Sequence, residues 1–298
     1  MQIDLNRFHG CLLGLAVGDA IGTTVEFQPR GAFSPVTDMV GGGPFRLKPG
    51  QWTDDTSMAL CLGTSLIARN GFDPADQLDR YWDWYQNGYM SSTGDCFDIG
   101  ITVRNALERY KHTGDPFSGS KDPYSAGNGS LMRLAPVPLF YFPDLERIAH
   151  FAGESSRTTH AATECIEACQ LFAEMLLRAL SGLSKEEILC KATVKLSAPK
   201  ISAIAAGNYR QKNISQIRGT GYVVESLEAA LWCFDQTNTF EEAILQAVNL
   251  GEDADTTAAI CGQIAGAYYG ESGIPTKWLE KLFMRAEIID LTDKLSRV

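Results

Sequence analysis

Two short acidic segments are the parts of this sequence best suited to chemistry. The first, Asp253-Ala254-Asp255-Thr256-Thr257, places two carboxylates and two hydroxyls within five residues. An apolar stretch rich in small residues follows it, which predicts a buried helix with Asp255 or Thr256 near its N-terminus. A helix cap accounts for only one of these carboxylates and does not explain Asp253. Adjacent carboxylates repel each other unless a proton or a cation lies between them.

A similar pattern occurs nearer the start of the chain. Thr53-Asp54-Asp55-Thr56-Ser57 also combines acids and hydroxyls directly before an apolar, helix-like run. If the two helix starts meet, four carboxylates converge, and the all-oxygen donor set suits Mg²⁺, Mn²⁺ or Ca²⁺ better than Zn²⁺. The alternative is that these are two unrelated helix caps.

Composition limits the classes of function. The chain has 298 residues, 45% of them apolar and 21% charged, as in an ordinary globular protein. Its net charge of −10 argues against a nucleic-acid partner. The apolar run at 11–17 ends at Asp19 and is too short to span a bilayer, so we expect no membrane segment. Eight cysteines without a secretory signal predict reduced thiols and a cytoplasmic location.

The pattern of apolar residues predicts an all-α protein that forms a single domain over 1–298. Few segments alternate with period two, and no long polar linker divides the chain. Glycine recurs at every fourth position over 10–22 and again over 262–270, which predicts two tightly packed helices in the core, with packing against each other as one arrangement. Further helices are expected at 55–69, from 74, at 131–136, 164–176, 184–196, 225–235 and 240–250, with loops at 28–51 and 113–130.

Several isolated polar residues are weaker candidates for a site. Glu26 and Asp98 each lie between two apolar residues; a surface charge is the alternative for Glu26, and a helix N-cap for Asp98. The glycines around Asn128 could expose amides that hold a phosphate, although the same pattern is a common turn. His160 precedes a predicted helix, where a lone histidine is usually structural. A glycine-flanked hinge presents the ring of Tyr222.

Taken in order, these motifs resemble the ADP-ribosylglycohydrolase family, and most of all its dinitrogenase reductase-activating members. The resemblance runs from about residue 9 to about residue 283, and it rests on six motifs whose order and spacing together are specific. They are Gly18-Asp19-Ala20-Ile21-Gly22, Val25-Glu26-Phe27, Thr53-Asp54-Asp55-Thr56, Gly127-Asn128-Gly129-Ser130-Leu131-Met132-Arg133, Thr159-His160 and Gly251-Glu252-Asp253-Ala254-Asp255-Thr256.

The resemblance implies an all-α hydrolase with two divalent cations, Mg²⁺ or Mn²⁺, that removes ADP-ribose from a modified protein, most typically from arginine. Glu26 would lie beside the metals and Asp98 would face the scissile bond, with either able to transfer the proton. The implied metal ligands are Thr53, Asp54, Asp55, Asp253, Asp255 and Thr256. The implied ADP-ribose contacts are Asn128, Gly129, Ser130, His160 and Tyr222.

One departure from the family pattern concerns the acceptor side. Related sequences often continue the Thr-His pair with a second histidine and a proline, whereas Ala161, Ala162 and Thr163 follow here. Other ADP-ribose conjugates therefore stay open as substrates: serine-linked ADP-ribose, O-acetyl-ADP-ribose or a modified nucleobase. A non-catalytic descendant that only binds ADP-ribose is a further alternative, which the retention of all six implied ligands disfavours.

Overall fold

The computed structural model describes residues 3–190 and 192–297, and within them the chain is built from helices. Among these residues no β-strand forms, and the only β-type pairs are isolated bridges such as Gly42–Leu47. This confirms the predicted all-α class. The helices are α1 Leu5–Gly22, α2 Asp54–Arg69, α3 Pro74–Asn87, α4 Ile101–Thr113, α5 Pro136–Tyr141, α6 Leu145–Arg157, α7 Thr163–Leu180, α8 Lys185–Ile188, α9 Pro199–Ala205, α10 Val223–Gln236, α11 Phe240–Val248, α12 Ala254–Tyr269, α13 Thr276–Lys281 and α14 Arg285–Leu295.

Helices α1 and α12 cross the centre of the molecule in direct backbone contact. A Cβ built on Gly10 would lie 2.2 Å from the carbonyl oxygen of Gly266, and one on Gly14 would lie 2.2 Å from that of Gly262. Only glycine permits this approach. The predicted packing of the two glycine-rich helices against each other is therefore confirmed, and they run antiparallel. The C-terminal end of α1 consequently lies beside the N-terminal end of α12, where Gly22 contacts Asp255.

Helix α1 is also long and apolar enough to cross a membrane, over Leu5–Val25. In this fold, however, 89% of the 18-residue apolar window within that stretch is buried inside the protein. Its apolar character is explained by its position in the core, where all its residues from Gly10 to Gly22 are buried.

Two of the expected helices are shorter than the sequence pattern predicts. In the predicted segment 184–196 only α8 forms, and residue 191 lies outside the described residues. Two acids of α7 hold the following chain in an open loop: Glu174 accepts the amide of Thr193 at 2.9 Å, and Glu167 accepts that of Ser197 at 2.9 Å. In the predicted segment 131–136 the chain makes turns, and α5 begins only at Pro136, because proline fits the first turn of a helix and not its interior.

Candidate metal centre and substrate cleft

The start of α2 is capped by a carboxylate from a different helix. Asp19, near the end of α1, accepts the amide and the hydroxyl of Thr53 at 2.8 and 2.9 Å. It also accepts the amide and the hydroxyl of Thr56 at 3.0 and 2.6 Å. Because Asp19 satisfies these donors, the carboxylates of Asp54 and Asp55 in the first turn of α2 are left available.

The start of α12 is capped in the same indirect way. Glu26 accepts the amides of Ala254 and Asp255 through one oxygen, Oε2, at 2.7 and 3.1 Å. Asp253 is the N-cap residue of α12, yet its side chain makes no capping hydrogen bond. The interpretation of the two acidic segments as ordinary helix caps is therefore wrong, since the capping carboxylates come from outside both helices.

The acidic side chains converge into two groups that share one residue. Within each group, one carboxylate oxygen per residue lies within 4.8 Å of the others, and the groups are Asp19, Asp55 and Asp255, and Glu26, Asp253 and Asp255. Asp255 is thus a member of both groups. Asp19 was not expected here. Its four hydrogen bonds occupy the acceptor sites that a carboxylate offers, so we assign it to holding α2 in place.

The remaining predicted ligands surround these groups. The Thr53 hydroxyl lies 3.3 Å from Oδ2 of Asp55 and 3.3 Å from Oδ2 of Asp255. The Thr256 hydroxyl lies 3.3 Å from the same oxygen of Asp55. Asp54 belongs to neither group but lines the cleft directly above them, beside Asp253 and Asp255. The structure thus brings all six predicted ligands together.

The electrostatics of this cluster favour a proton or a cation between the carboxylates. Asp55 is fully buried, and its Oδ1 atom has no hydrogen-bond partner. Burial and the neighbouring carboxylates hold the pKa values of Asp54 and Asp55 well above their usual range, and burial raises the pKa of Asp255 to about 7. Within residues 3–190 and 192–297 no lysine or arginine forms an ion pair with these acids. Because all the donors are oxygens, the residues fit Mg²⁺ or Mn²⁺.

Asp98 is placed over the cluster and does not cap a helix. Helix α4 begins at Ile101, and its N-cap is Gly100. Asp98 has a left-handed backbone, with φ of 60°, and no described residue donates a hydrogen bond to its side chain. Burial and the nearby charge of Asp54 raise the pKa of Asp98 to about 11. The cap interpretation of Asp98 is wrong, and its carboxyl group is free to act in the cleft.

A cleft of about 450 Å³ opens over these acids and is walled on one side by the Gly127–Gly129 turn. Asn128 donates from Nδ2 to Asp253 at 2.8 Å and so holds a predicted ligand in place. The amides of Gly129 and Ser130 donate to no other described residue, as the expected phosphate cradle requires. The Ser130 side chain, in contrast, is buried against Ser156 at 2.8 Å and does not line the cleft.

His160 lines the cleft as a neutral donor. Arg133, which is fully buried, donates from Nη2 to the Thr159 hydroxyl at 2.7 Å, and this hydroxyl lies 2.8 Å from Nδ1 of His160. The hydroxyl has no other acceptor among the described residues, so its proton goes to Nδ1, and the ring proton is on Nε2. Burial, with a contribution from Arg133, lowers the pKa of His160 to about 3.

The part of Arg133 in this arrangement was not anticipated from the sequence. A charged residue within the apolar stretch 131–137 was the available signal, since such a residue is buried only when it has partners. Its guanidinium group also donates to the Gly129 carbonyl at 2.7 Å and lies 4.7 Å from the centre of the Tyr81 ring. Arg133 therefore fixes both the glycine turn and the histidine.

Tyr222 lies in a neighbouring cavity of about 650 Å³ that adjoins the cleft at Thr102, Gly127 and Gly221. Its hydroxyl donates to Glu164 and accepts from Lys200 at 2.9 Å. The predicted substrate contacts therefore extend from the acids, past the glycine turn, to an aromatic ring at the far end.

Known proteins resemble this chain over nearly its whole length. The family model described as ADP-ribosylglycohydrolase matches residues 1–298. The chain is 49% identical to ADP-ribosylarginine hydrolase Tri1 of Pseudomonas putida (strain GB-1), covering 98% of this chain and 78% of that protein. It is 34% identical to ADP-ribosyl-[dinitrogen reductase] glycohydrolase of Rhodospirillum rubrum, over 95% and 92% of the two chains.

A solved structure has the same fold. The "ADP-ribosylglycohydrolase-related protein complex" superposes with a TM-score of 0.87 at 46% identity, and 98% of each chain is covered. Since the family model spans the whole sequence and several relatives exceed 30% identity over most of their length, this chain belongs to the ADP-ribosylglycohydrolase family.

Proposed function

We propose that this protein hydrolyses the N-glycosidic bond between ADP-ribose and an arginine side chain of a modified protein, with two divalent cations, Mg²⁺ or Mn²⁺, as cofactors. The observation that carries the proposal is the pair of largely buried carboxylate groups that share Asp255, with which no lysine or arginine of residues 3–190 and 192–297 forms an ion pair. The relative of 49% identity given above is named ADP-ribosylarginine hydrolase Tri1, which supports arginine as the modified residue.

The residues that would hold the cations are Thr53, Asp54, Asp55, Asp253, Asp255 and Thr256. Bound there, the cations would lower the pKa of a water molecule and would bind and orient the ribose hydroxyls. The indirect capping of α2 and α12 by Asp19 and Glu26 serves this arrangement, because it frees the first-turn carboxylates and fixes the two helix starts relative to each other.

Asp98 is the better of the two candidates for proton transfer. Glu26 is committed through Oε2 to two amides of α12, so moving a proton onto that oxygen would weaken the cap. Asp98 accepts no such hydrogen bonds from residues 3–190 and 192–297, and it faces the cleft. Its carboxylate form would also oppose the positive charge that develops at the ribose C1 atom in the transition state, as glycoside hydrolysis requires.

The rest of the cleft would bind the ADP-ribose. The free amides of Gly129 and Ser130 and the Nε2 proton of His160 are donors suited to phosphate oxygens. Because the His160 ring stays neutral, it supplies a hydrogen bond whose strength does not change over the physiological pH range. Tyr222, beyond the turn, offers an aromatic face to the adenosine end.

The test is to measure release of free ADP-ribose from a peptide with ADP-ribosylated arginine, with Mn²⁺ or Mg²⁺ and with chelator. Rapid release with either metal, and none with chelator, is the expected result. Asp255→Ala should abolish it, whereas Asp290→Ala, which removes an exposed acid paired with Lys294 on α14, should not. Release only from serine-linked ADP-ribose, or equal activity in chelator, would contradict the proposal.

A further inference from the structure

Three phenylalanine rings lie in a row, and the first of them, Phe27, lines the cleft. The rings of Phe27 and Phe45 have centroids 6.3 Å apart, and those of Phe45 and Phe97 are 5.3 Å apart. Phe45 is held by a tight loop in which Gly42 and Leu47 exchange both backbone hydrogen bonds. Phe27 and Phe97 directly adjoin Glu26 and Asp98 in the sequence. We call Phe27, Phe45 and Phe97 the phenylalanine wall.

Phe27 is the member of the wall that faces the cleft, and its position is costly. Its side chain is 64% exposed although it is a large apolar residue, and it lines the same cleft as Glu26, Asp54 and Asp98. Its backbone is left-handed, with φ of 63°, which is unusual for a bulky residue. The amide of Phe27 holds this conformation by donating to the Glu252 carbonyl at 2.8 Å. Strain combined with exposure points to a group that covers the ring during function.

The position of the wall tells which part of a substrate would cover it. The adenosine end, at Tyr222, adjoins the cleft at Thr102, Gly127 and Gly221, and the wall lies at the acids. A ligand whose adenosine lies at Tyr222 would extend to the acids with its second ribose. The C1 atom of that ribose would then lie at the acids, and the group attached to C1 would continue onto Phe27. In the proposed function that group is an arginine side chain.

We propose that Phe27 is the platform for the guanidinium group of the modified arginine and so determines the preference for this leaving group. This inference rests on the proposed function. A guanidinium group is planar and weakly hydrated, and it stacks on aromatic faces more readily than other cations. The surrounding acids and the net charge of −10 favour a cation at this place. Phe45 packs edge-on beside the Phe27 ring, and Phe97 in turn contacts Phe45.

The experiment compares Phe27→Leu with the wild type on two substrates, an arginine-linked and a serine-linked ADP-ribosyl peptide, and also measures the affinity for free ADP-ribose. Leucine keeps the apolar volume but has no aromatic face. The expected result is a KM for the arginine-linked peptide raised about 2- to 30-fold. Phe27→Leu should leave unchanged the affinity for ADP-ribose, the melting temperature and any activity on the serine-linked peptide. Phe27→Tyr, which keeps the aromatic face, should have the wild-type KM for the arginine-linked peptide.

The control is Ile214→Ala, which shortens another exposed apolar residue outside the cleft and should change none of these quantities. An unchanged KM in Phe27→Leu would overturn the inference, and so would an equal loss of affinity for free ADP-ribose, which would assign Phe27 to the ADP-ribose side. Failure of the proposed function is distinguishable from both, because the wild type itself would then not cleave the arginine-linked peptide.

Discussion

Removal of the divalent cations should destabilise the protein, and by more at higher pH. The folded, metal-free protein holds Asp54, Asp55 and Asp255 with raised pKa values, so it binds more protons than the unfolded chain. The stabilisation from those protons is present at acid pH. It is lost as pH rises from the usual aspartate range through the folded-state pKa, which for Asp255 is about 7. Cations take over the role of the protons and need the ionised form.

The size of the effect follows from the mass action of the cation and the length of the chain. One cation at a hundredfold excess over its dissociation constant stabilises the folded state by about 2.7 kcal/mol, if it does not bind the unfolded chain. With 298 residues, the entropy of unfolding is roughly 0.6 kcal/mol per degree. One site should therefore raise the melting temperature by about 4 °C, and two independent sites by about 9 °C.

The measurement is a set of melts by calorimetry at pH 5.5 and pH 8, with chelator and with millimolar Mn²⁺ or Mg²⁺ added back. The difference in melting temperature between the protein with metal and the protein with chelator should be larger at pH 8 than at pH 5.5. Zn²⁺ should substitute poorly in the matching hydrolysis assay, because it prefers nitrogen and sulfur ligands in a tetrahedral site. Melts that do not respond to chelator, or a gap that narrows as pH rises, would refute the assignment of these carboxylates to cations.

Two substitutions test the parts of the cleft that act on the substrate. Asp98→Asn keeps the shape of the side chain and removes its basicity, so turnover should fall about 10²- to 10⁴-fold while ADP-ribose affinity, measured by calorimetry, stays nearly the same; full turnover would exclude Asp98 from proton transfer. Thr159→Val removes the hydroxyl between Arg133 and His160, so ¹⁵N NMR should show the His160 proton no longer confined to Nε2, together with weaker ADP-ribose binding. Thr159→Ser should behave as wild type, and an Nδ1-protonated ring in the wild type would contradict the assigned tautomer.

The sequence predicted those features that depend on local spacing. The four-residue glycine repeat predicted the contact of α1 with α12, because a smooth stripe on a helix permits close backbone approach and little else explains it. The two acidic segments predicted converging carboxylates, because each stands directly before an apolar helix and the two helix starts could meet. The helix expected at 131–136 does not form before Pro136, and this effect of a proline is local in the sequence. The helix expected at 184–196 is cut short where Glu174 and Glu167 of α7 accept backbone amides, and such contacts cannot be predicted from the local pattern.

The features that could not be predicted depend on contacts between distant residues. Asp19 and Glu26 cap helices that begin 35 and 228 positions further along the chain, and no local pattern reveals such a cap. The same holds for Asp98, which resembles a helix cap in sequence and is freed from that role because α4 begins at Ile101. The hydroxyl contact that sets the His160 proton likewise needs Arg133, which lies 26 residues before Thr159.

The backbone contact between α1 and α12 has a consequence for how distant substitutions should be interpreted. The contact extends from Gly10 to Gly22, about 18 Å along the helix axis, and at each glycine the nearest atoms of α12 are backbone atoms, which cannot repack to absorb a displacement. An added methyl group at Gly10 would therefore shift one whole helix against the other, and the shift would reach Asp255 at the opposite end. The positions of the carboxylates thus depend on the packing along the whole length of the two helices. A substitution at Gly10 that abolishes activity would therefore not indicate that Gly10 lies near the substrate.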